Sequence, residues 1–364
     1  MSRLQDFYKG KKVLVTGHTG FKGSWLSMLL DKMGASVTGI ALEPPTEPAL
    51  FDLLGLKDKM DSRIVDICDL DAMKKVFEEV RPEIVIHMAA QPIVRESYRD
   101  PVGTYAANVM GTVNVLECCR LIDSVKSVIN VTTDKVYRNY EWDRGYVEGD
   151  ELCGYDPYSN SKSCSELVTD SYRNSFLREK GVAVSTVRAG NVIGGGDFAT
   201  DRIIPDCVRA VERGDDIIVR NPYSTRPYQH VLEPLTVYLT IAMAQYKDPT
   251  LADCYNVGPD DDNCVTTGEL TTLFCDEWNK LTGGDLKWIN KSDGGPHEAG
   301  FLKLNSSKLK ETFGWKPVWN MKSAMNKIIC WTDEYLKGGD VVGCTLRQID
   351  EFMSDSEGHP TVLS

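Results

Sequence analysis

Short apolar runs alternate with longer amphipathic stretches through the first half of this chain. Runs at 12–16, 36–41, 84–88, 127–132 and 182–188 are rich in Val and Ile and bounded by Gly, Pro or polar residues, which predicts β-strands. Stretches at 22–33, 70–80, 102–121 and 159–179 fill the gaps with helical patterning. Strands that alternate with helices pair in parallel, with the helices covering both faces of the sheet. The expected fold is therefore α/β, a doubly wound parallel sheet with a smaller mixed α/β lobe toward the C-terminus. After Gly190 the pattern loosens: 194–197 and 220–230 read as loops, and one more short strand appears at 254–257. The first domain is expected to comprise 1–190 plus about 231–258 returning to the sheet, and the second 191–230 and 259–364. Trp315 and Trp331 are expected in the core of the second lobe.

Composition narrows the class. At 364 residues with 42% apolar and 26% charged positions, the chain can bury a sizeable core. A net charge of −12 argues against nucleic acid as a partner, because gripping a phosphate backbone needs excess Lys and Arg. A local Arg cluster can still hold a small diphosphate. No apolar stretch is long enough to cross a bilayer, and the first residues lack a secretory apolar core. Eleven scattered cysteines without a CxxC pair predict neither a metal site nor a disulfide framework, and point to a reducing, cytoplasmic setting.

Candidate chemistry begins at the first strand, which runs into Gly17-His18-Thr19-Gly20-Phe21-Lys22-Gly23. A glycine-rich turn between a strand and a helix lets the backbone approach a pyrophosphate at the helix N-terminus. Without that placement the same glycines would be only a turn. Glu43, about 20 residues past the loop, is the candidate for the adenosine ribose. No Arg stands beside it to take a 2′-phosphate, so NAD is expected rather than NADP.

Farther along, Asp156-Pro157 reads as a helix start, which puts Tyr158 and Lys162 one turn apart on one face. A neighbouring ammonium favours the phenolate, the form in which Tyr acts as a base. Such a pair alone is common surface chemistry and gains meaning from its company. The glycine loop, Asp66-Ile67, His87-Met88-Ala89-Ala90-Gln91, Thr133, Tyr158 and Lys162 occur in an order that resembles the extended short-chain dehydrogenase/reductase family. The resemblance covers nearly the whole chain. It implies a seven-stranded Rossmann sheet and a Thr133–Tyr158–Lys162 catalytic triad. It also implies coenzyme contacts from Gly17, Gly20, Phe21, Lys22, Gly23, Asp66, Ile67, Ala89, Ala90, Gln91, Asn108, Thr132, Tyr158 and Lys162.

Within that family, the residues after Thr133 separate reactions. Epimerases carry small residues there, whereas sugar-nucleotide 4,6-dehydratases carry an Asp followed by Glu. Here the pair is Asp134-Lys135. The departure, together with the segments 18–25 and 188–197, implies 4,6-dehydration with CDP-glucose as substrate. Asp134 is then the acid for the departing hydroxyl, and Lys135 or another group takes the carbon 5 proton. The resemblance places Asn191 and Arg226 at the substrate diphosphate, followed by Arg202 and Arg220. His297 is a weaker candidate, since a lone His is as readily a loop or core residue. It further implies a homodimer through a four-helix interface. The competing readings are a 4-epimerase, a GDP-mannose or dTDP-glucose 4,6-dehydratase, and a silent NAD-binding scaffold. A scaffold has no need to keep Thr133, Tyr158 and Lys162 together.

Overall fold

The computed structural model describes residues 3–291 and 301–357. The chain folds as two compact units. The first contains residues up to Arg138, Glu148–Ala189 and Leu235–Asn256, and the second contains Asn139–Val147, Gly190–Pro234 and the residues from Val257 on.

A seven-stranded sheet organises the first unit. Its strands are β1 (Lys12–Thr16), β2 (Ser36–Ala41), β3 (Asp61–Ile64), β4 (Ile84–His87), β5 (Ser127–Val131), β6 (Ala183–Ala189) and an edge strand, Cys254–Val257. The order across the sheet is the edge strand, then β6, β5, β4, β1, β2 and β3. The pairings from β3 to β6 are parallel. The edge strand runs the same way, since Thr186 N–H reaches Asp253 and Gly190 N–H reaches Val257 in step. Winding reverses between β1 and β4, the switch point where open parallel sheets leave a crevice at the C-terminal strand ends.

Burial explains why the strands read as apolar runs: β4, β5 and β6 are buried at every position. Leu14, Val85, Val128 and Val184 face one another across successive registers and form the spine of the core, with Phe77 and Val115 packed on it. Caps fix the helices. Asp69 accepts a hydrogen bond from Ala72 N–H ahead of Leu70–Val80, and Asp156 accepts one from Ser159 N–H ahead of Pro157–Tyr172. The predicted helix at 102–121 is helical throughout but changes pitch, from an α-helix at Pro101–Tyr105 to a π turn at Ala106–Met110 and back to α at Gly111–Leu121.

The second unit uses short strand pairs and helices. Val192–Ile193 pairs with Gln229–His230, Thr225–Arg226 with Val265–Thr266, and Ile217–Val219 with Trp288–Asn290. Residues 139–147, expected in the first domain, fall here because Tyr146 exchanges backbone hydrogen bonds of 2.9 Å with Lys303 and Asn305. Trp331 is buried as expected, packed so tightly on Gly195 that a Cβ there would sit 2.2 Å from its ring. Trp315 is only half-buried, and Trp319 takes the core position, its edge against His230 and its indole N–H on Asp355.

Glu233 ties this unit together, accepting the backbone N–H groups of Val318 at 2.9 Å and Trp319 at 2.7 Å. Burial pushes its carboxyl up to about 8. A group that stays protonated when folded and ionises when unfolded favours the folded state most in acid. That contribution declines as pH climbs from about 4, the ordinary Glu value, and is gone above about 8. Thermal melts across pH should therefore show wild type losing stability relative to Glu233→Gln over that interval. A constant difference between the two proteins would contradict this.

Candidate active site

The loop after β1 is shaped by backbone proximity. Gly17 adopts φ +79°, and a Cβ there would lie 2.8 Å from the amide nitrogen of Ala89. At Gly23 a Cβ would lie 2.1 Å from the carbonyl oxygen of Gly17, whereas at Gly20 nothing comes closer than 3.5 Å. Gly20 begins the helix Phe21–Lys32 without a side-chain cap. A phosphate therefore meets a helix N-terminus with no competing side-chain oxygen, and the cradle fits a dinucleotide. The Lys22 ammonium donates to the Tyr238 hydroxyl at 2.9 Å and lies over that ring. Glu43 is exposed two residues past β2. Asp66 is exposed past β3, where it accepts from Cys68 N–H at 2.9 Å. Ile67 is buried, and its carbonyl accepts from Asn114.

Beyond β4, a hydrogen-bond chain fixes the next predicted residues. Thr16 Oγ1 accepts the N–H groups of Met88 and Ala89 at 3.1 Å each, so its own proton goes to His87 Nδ1 at 2.7 Å. His87 Nε2–H then donates to Thr112 Oγ1 at 3.1 Å, a tautomer assigned from these partners. Burial, with Lys162 nearby, lowers His87 to about 3, so it is a neutral spacer. Asn108, on the π turn, clasps Gln91 from both sides of the backbone and donates to Ser161 Oγ, which donates to the Tyr158 carbonyl. A π turn shifts side-chain phase relative to an α-helix, which aims Asn108 inward.

At the end of β5 lies the catalytic candidate. Thr133 and Asp134 are buried, and the Thr133 hydroxyl donates to Asp134 Oδ1 at 2.9 Å. Lys135 and Tyr158 are half-buried. Lys162 is buried, donates to the Val131 carbonyl at 3.1 Å, and is lowered by desolvation to about 8, with Glu166 opposing the shift. Thr132, Thr133, Asp134 and Lys162 thus gather at one strand end. Sequence reading passed over what surrounds them. Glu166 accepts from Thr132 Oγ1, Thr186 Oγ1 and Arg188, whose guanidinium also reaches Tyr137 and the Glu148 carbonyl. The available signal was Glu166 standing one helical turn after Lys162.

In the second unit, Arg226 is buried and donates to the Thr225 carbonyl, and Asn191 is half-buried with its carbonyl taken by Gln229 N–H. Arg202 pairs with Asp197 at 3.1 Å, and Arg220 with Asp201 at 2.6 Å and Asp206 at 3.3 Å. His297 lies outside the described residues.

Because a methyl group at Gly23 has no space, Gly23→Ala must displace the loop, at about 1–3 kcal/mol of strain. The variant should keep its helical circular dichroism yet bind NAD at least about tenfold more weakly by calorimetry. Wild-type affinity in Gly23→Ala would count against this cradle as the dinucleotide site.

Known proteins resemble this chain in sequence and fold. A curated CDP-glucose 4,6-dehydratase of Salmonella typhimurium is 46% identical over 356 residues, spanning 96% of this chain and 98% of that protein. A probable dTDP-glucose 4,6-dehydratase of Sinorhizobium fredii is 28% identical over 90% of this chain and 93% of its own. Among solved structures, the NAD complex of a Bacillus anthracis dTDP-glucose 4,6-dehydratase superposes with a TM-score of 0.73 at 19% identity, covering 92% of this chain and 100% of that one. A Thermotoga maritima UDP-glucose 4-epimerase with UDP-glucose gives 0.75 at 21% identity, over 89% of this chain and 99% of that one. These two structures share the fold, that of extended short-chain dehydrogenases/reductases. The sequence model of the GDP-mannose 4,6 dehydratase family matches residues 14–328, and the chain belongs to that family.

Proposed function

We propose that this protein is an NAD-dependent hydro-lyase that converts CDP-glucose to CDP-4-keto-6-deoxyglucose and water. The observation that carries the reading is an acid, Asp134, buried at the end of β5 in hydrogen bond with Thr133, in a chain that also carries Tyr158 and Lys162. The nucleotide and sugar rest on the extensive similarity to the Salmonella enzyme.

NAD has a fitting cradle in the glycine loop. Gly17, Gly20, Phe21, Lys22 and Gly23 hold its diphosphate, Glu43 its adenosine ribose, and Asp66 and Ile67 its adenine. Ala89, Ala90, Gln91, Asn108, Thr132, Tyr158 and Lys162 complete the contacts. The chemistry NAD supplies when bound is temporary storage of a hydride, between its loss from carbon 4 of the sugar and its return at carbon 6.

The chain's own side chains move the protons. Tyr158 accepts the proton of the carbon 4 hydroxyl, its phenolate favoured by the Lys162 ammonium, while Thr133 orients that hydroxyl. A ketone at carbon 4 acidifies carbon 5. Asp134 gives its proton to the departing carbon 6 hydroxyl. Lys135 takes the proton from carbon 5, and a proton returns there as the hydride comes back to carbon 6. Asn191 and Arg226 anchor the substrate diphosphate, with Arg202 and Arg220 behind them, held in place by the carboxylates of Asp197, Asp201 and Asp206. His297 remains a candidate by its sequence position.

The enzyme is read as a homodimer. Val102, Met110, Leu167 and Phe176 are large apolar side chains left exposed on the helical stretches 101–121 and 157–177 of the first unit. A second copy covering them gives a four-helix interface, as the family resemblance implies. No helix among the described residues is long and apolar enough to cross a membrane. All eleven cysteines are free thiols, which supports a reducing cytoplasmic setting.

Four outcomes test this reading. Offered CDP-, dTDP- and GDP-hexoses in parallel, the enzyme should form the base-stable chromophore of a 4-keto-6-deoxy sugar from CDP-glucose; no product from any of them would favour a silent scaffold. Asp134→Asn should lower that turnover about 10²–10⁴-fold, and Lys135→Ala should slow solvent-deuterium entry at carbon 5; a wild-type rate there would remove Lys135 as the base. By light scattering, Val102→Asp combined with Leu167→Asp should yield a folded monomer, and a dimer unchanged by the pair would place the interface elsewhere.

A further inference from the structure

A carboxylate and a guanidinium lie side by side in the first unit, Glu166 and Arg188, with their side chains only 4% and 3% exposed. Arg188 Nε meets Glu166 Oε1 at 2.9 Å, and Nη2 meets Oε2 at 3.0 Å, a forked pair. Burying two charges is costly unless every remaining donor and acceptor is satisfied, and a pair so built adds little to stability compared with an apolar contact. Its partners suggest what it does instead.

Two of them flank the catalytic turn. Thr132, immediately before Thr133, donates its hydroxyl proton to Glu166 Oε1 at 2.5 Å. Tyr137, immediately after residues 133–136, accepts from Arg188 Nη1 at 2.8 Å, lies with its ring beneath the guanidinium, and passes its own proton to Asn256 Oδ1 at 2.6 Å. Within the turn the bonds to backbone N–H are long, with Val136 N–H to the Thr133 carbonyl and Lys135 N–H to Thr133 Oγ1 each at 3.4 Å, while the 2.9 Å bond from the Thr133 hydroxyl to Asp134 Oδ1 joins side chains only. From outside, Ser163 Oγ donates to the Val136 carbonyl at 2.7 Å. By contrast Tyr158 and Lys162 are seated by separate bonds, through Ser161, Asn108 and the Val131 carbonyl.

We infer that the Glu166–Arg188 pair is a positioning clamp that grips Thr132 and Tyr137 and so fixes the turn bearing Asp134 and Lys135 for the elimination of water. The inference rests on the proposed dehydratase reading. Neither charged residue touches the reacting atoms. The clamp matters most to the steps assigned to Asp134 and Lys135, and less to oxidation at carbon 4, whose base stands on the helix Pro157–Tyr172.

Tyr137→Phe removes one grip and leaves the ion pair and the side-chain volume in place. Two substrates separate the steps: CDP-glucose, and its 6-deoxy analogue, which can be oxidised at carbon 4 but has no carbon 6 hydroxyl to lose. With full-length enzyme loaded with NAD, Tyr137→Phe should lower kcat for dehydration about 10- to 100-fold, with KM and the rate of nicotinamide reduction by the analogue within about threefold of wild type. In the absence of substrate, the peptide spanning 132–138 should exchange its amide hydrogens faster than in wild type. Equal losses in dehydration and oxidation, or unchanged exchange of that peptide, would overturn the clamp. Should Tyr137→Phe fail to fold, Asn256→Ser, which removes the acceptor of the Tyr137 hydroxyl proton, carries the same comparison. Wild-type enzyme inactive on CDP-glucose would sink the functional reading alone, because the exchange measurement needs no substrate and still decides the clamp.

Discussion

The buried pairing of Glu166 with Arg188 is the constraint around which the first unit is assembled. Charges removed from water are tolerated only where geometry fills their hydrogen-bonding positions. Filling them here requires Thr132 at the end of β5, Thr186 and Arg188 on β6, Tyr137 beyond the turn and Glu166 on the helix Pro157–Tyr172 to arrive together. The strand register that brings Val128 opposite Val184 also brings these polar groups to one place, so apolar packing and polar satisfaction specify the same arrangement. Lys162, one turn before Glu166, feels its charge, while the Val131 carbonyl seats its ammonium.

The other site candidates carried by β1, β4 and β5 of the first unit lie at the same edge of the sheet. Parallel strands bring their C-terminal ends to one side, where β1 delivers the glycine loop, β4 the segment clasped by Asn108, and β5 the Thr133–Asp134 pair. Dry strand interiors make the scaffold rigid, and the chemistry is carried by the short connections that leave it. A tight glycine approach at Gly17 and Gly23 and a π turn at Asn108 are the local distortions that aim backbone and side chain at this edge.

Much of this was legible in the chain alone, for physical reasons that also mark its limits. Strands buried at most positions read as apolar runs, so β1, β2, β4, β5, β6 and the short edge strand stand out, while β3, with no buried position, does not. Asp156 and Pro157 announce their helix through capping chemistry that is local in sequence. Glu166 is silent, because a carboxylate four residues after a lysine looks like a solvated helix face until the fold places Arg188 beside it. Residues 139–147 join the second unit through Tyr146 and its distant partners near 303–305, a pairing that no local pattern encodes. Trp319 outranks Trp315 in the core for the same reason, since its partners His230, Phe352 and Asp355 are remote along the chain. Arg202 and Arg220 show the reverse: recognised as cations, they turn out to be held by Asp197, Asp201 and Asp206.

The reaction turns on an internal hydride shift coupled to loss of water. Its most direct test uses CDP-glucose carrying deuterium at carbon 4, with the product read by mass spectrometry and NMR. The label should move to the carbon 6 methyl group of the same sugar, while carbon 5 takes hydrogen from solvent. A 4-keto product whose carbon 6 methyl group carries no deuterium, the label having washed out to solvent, would contradict it.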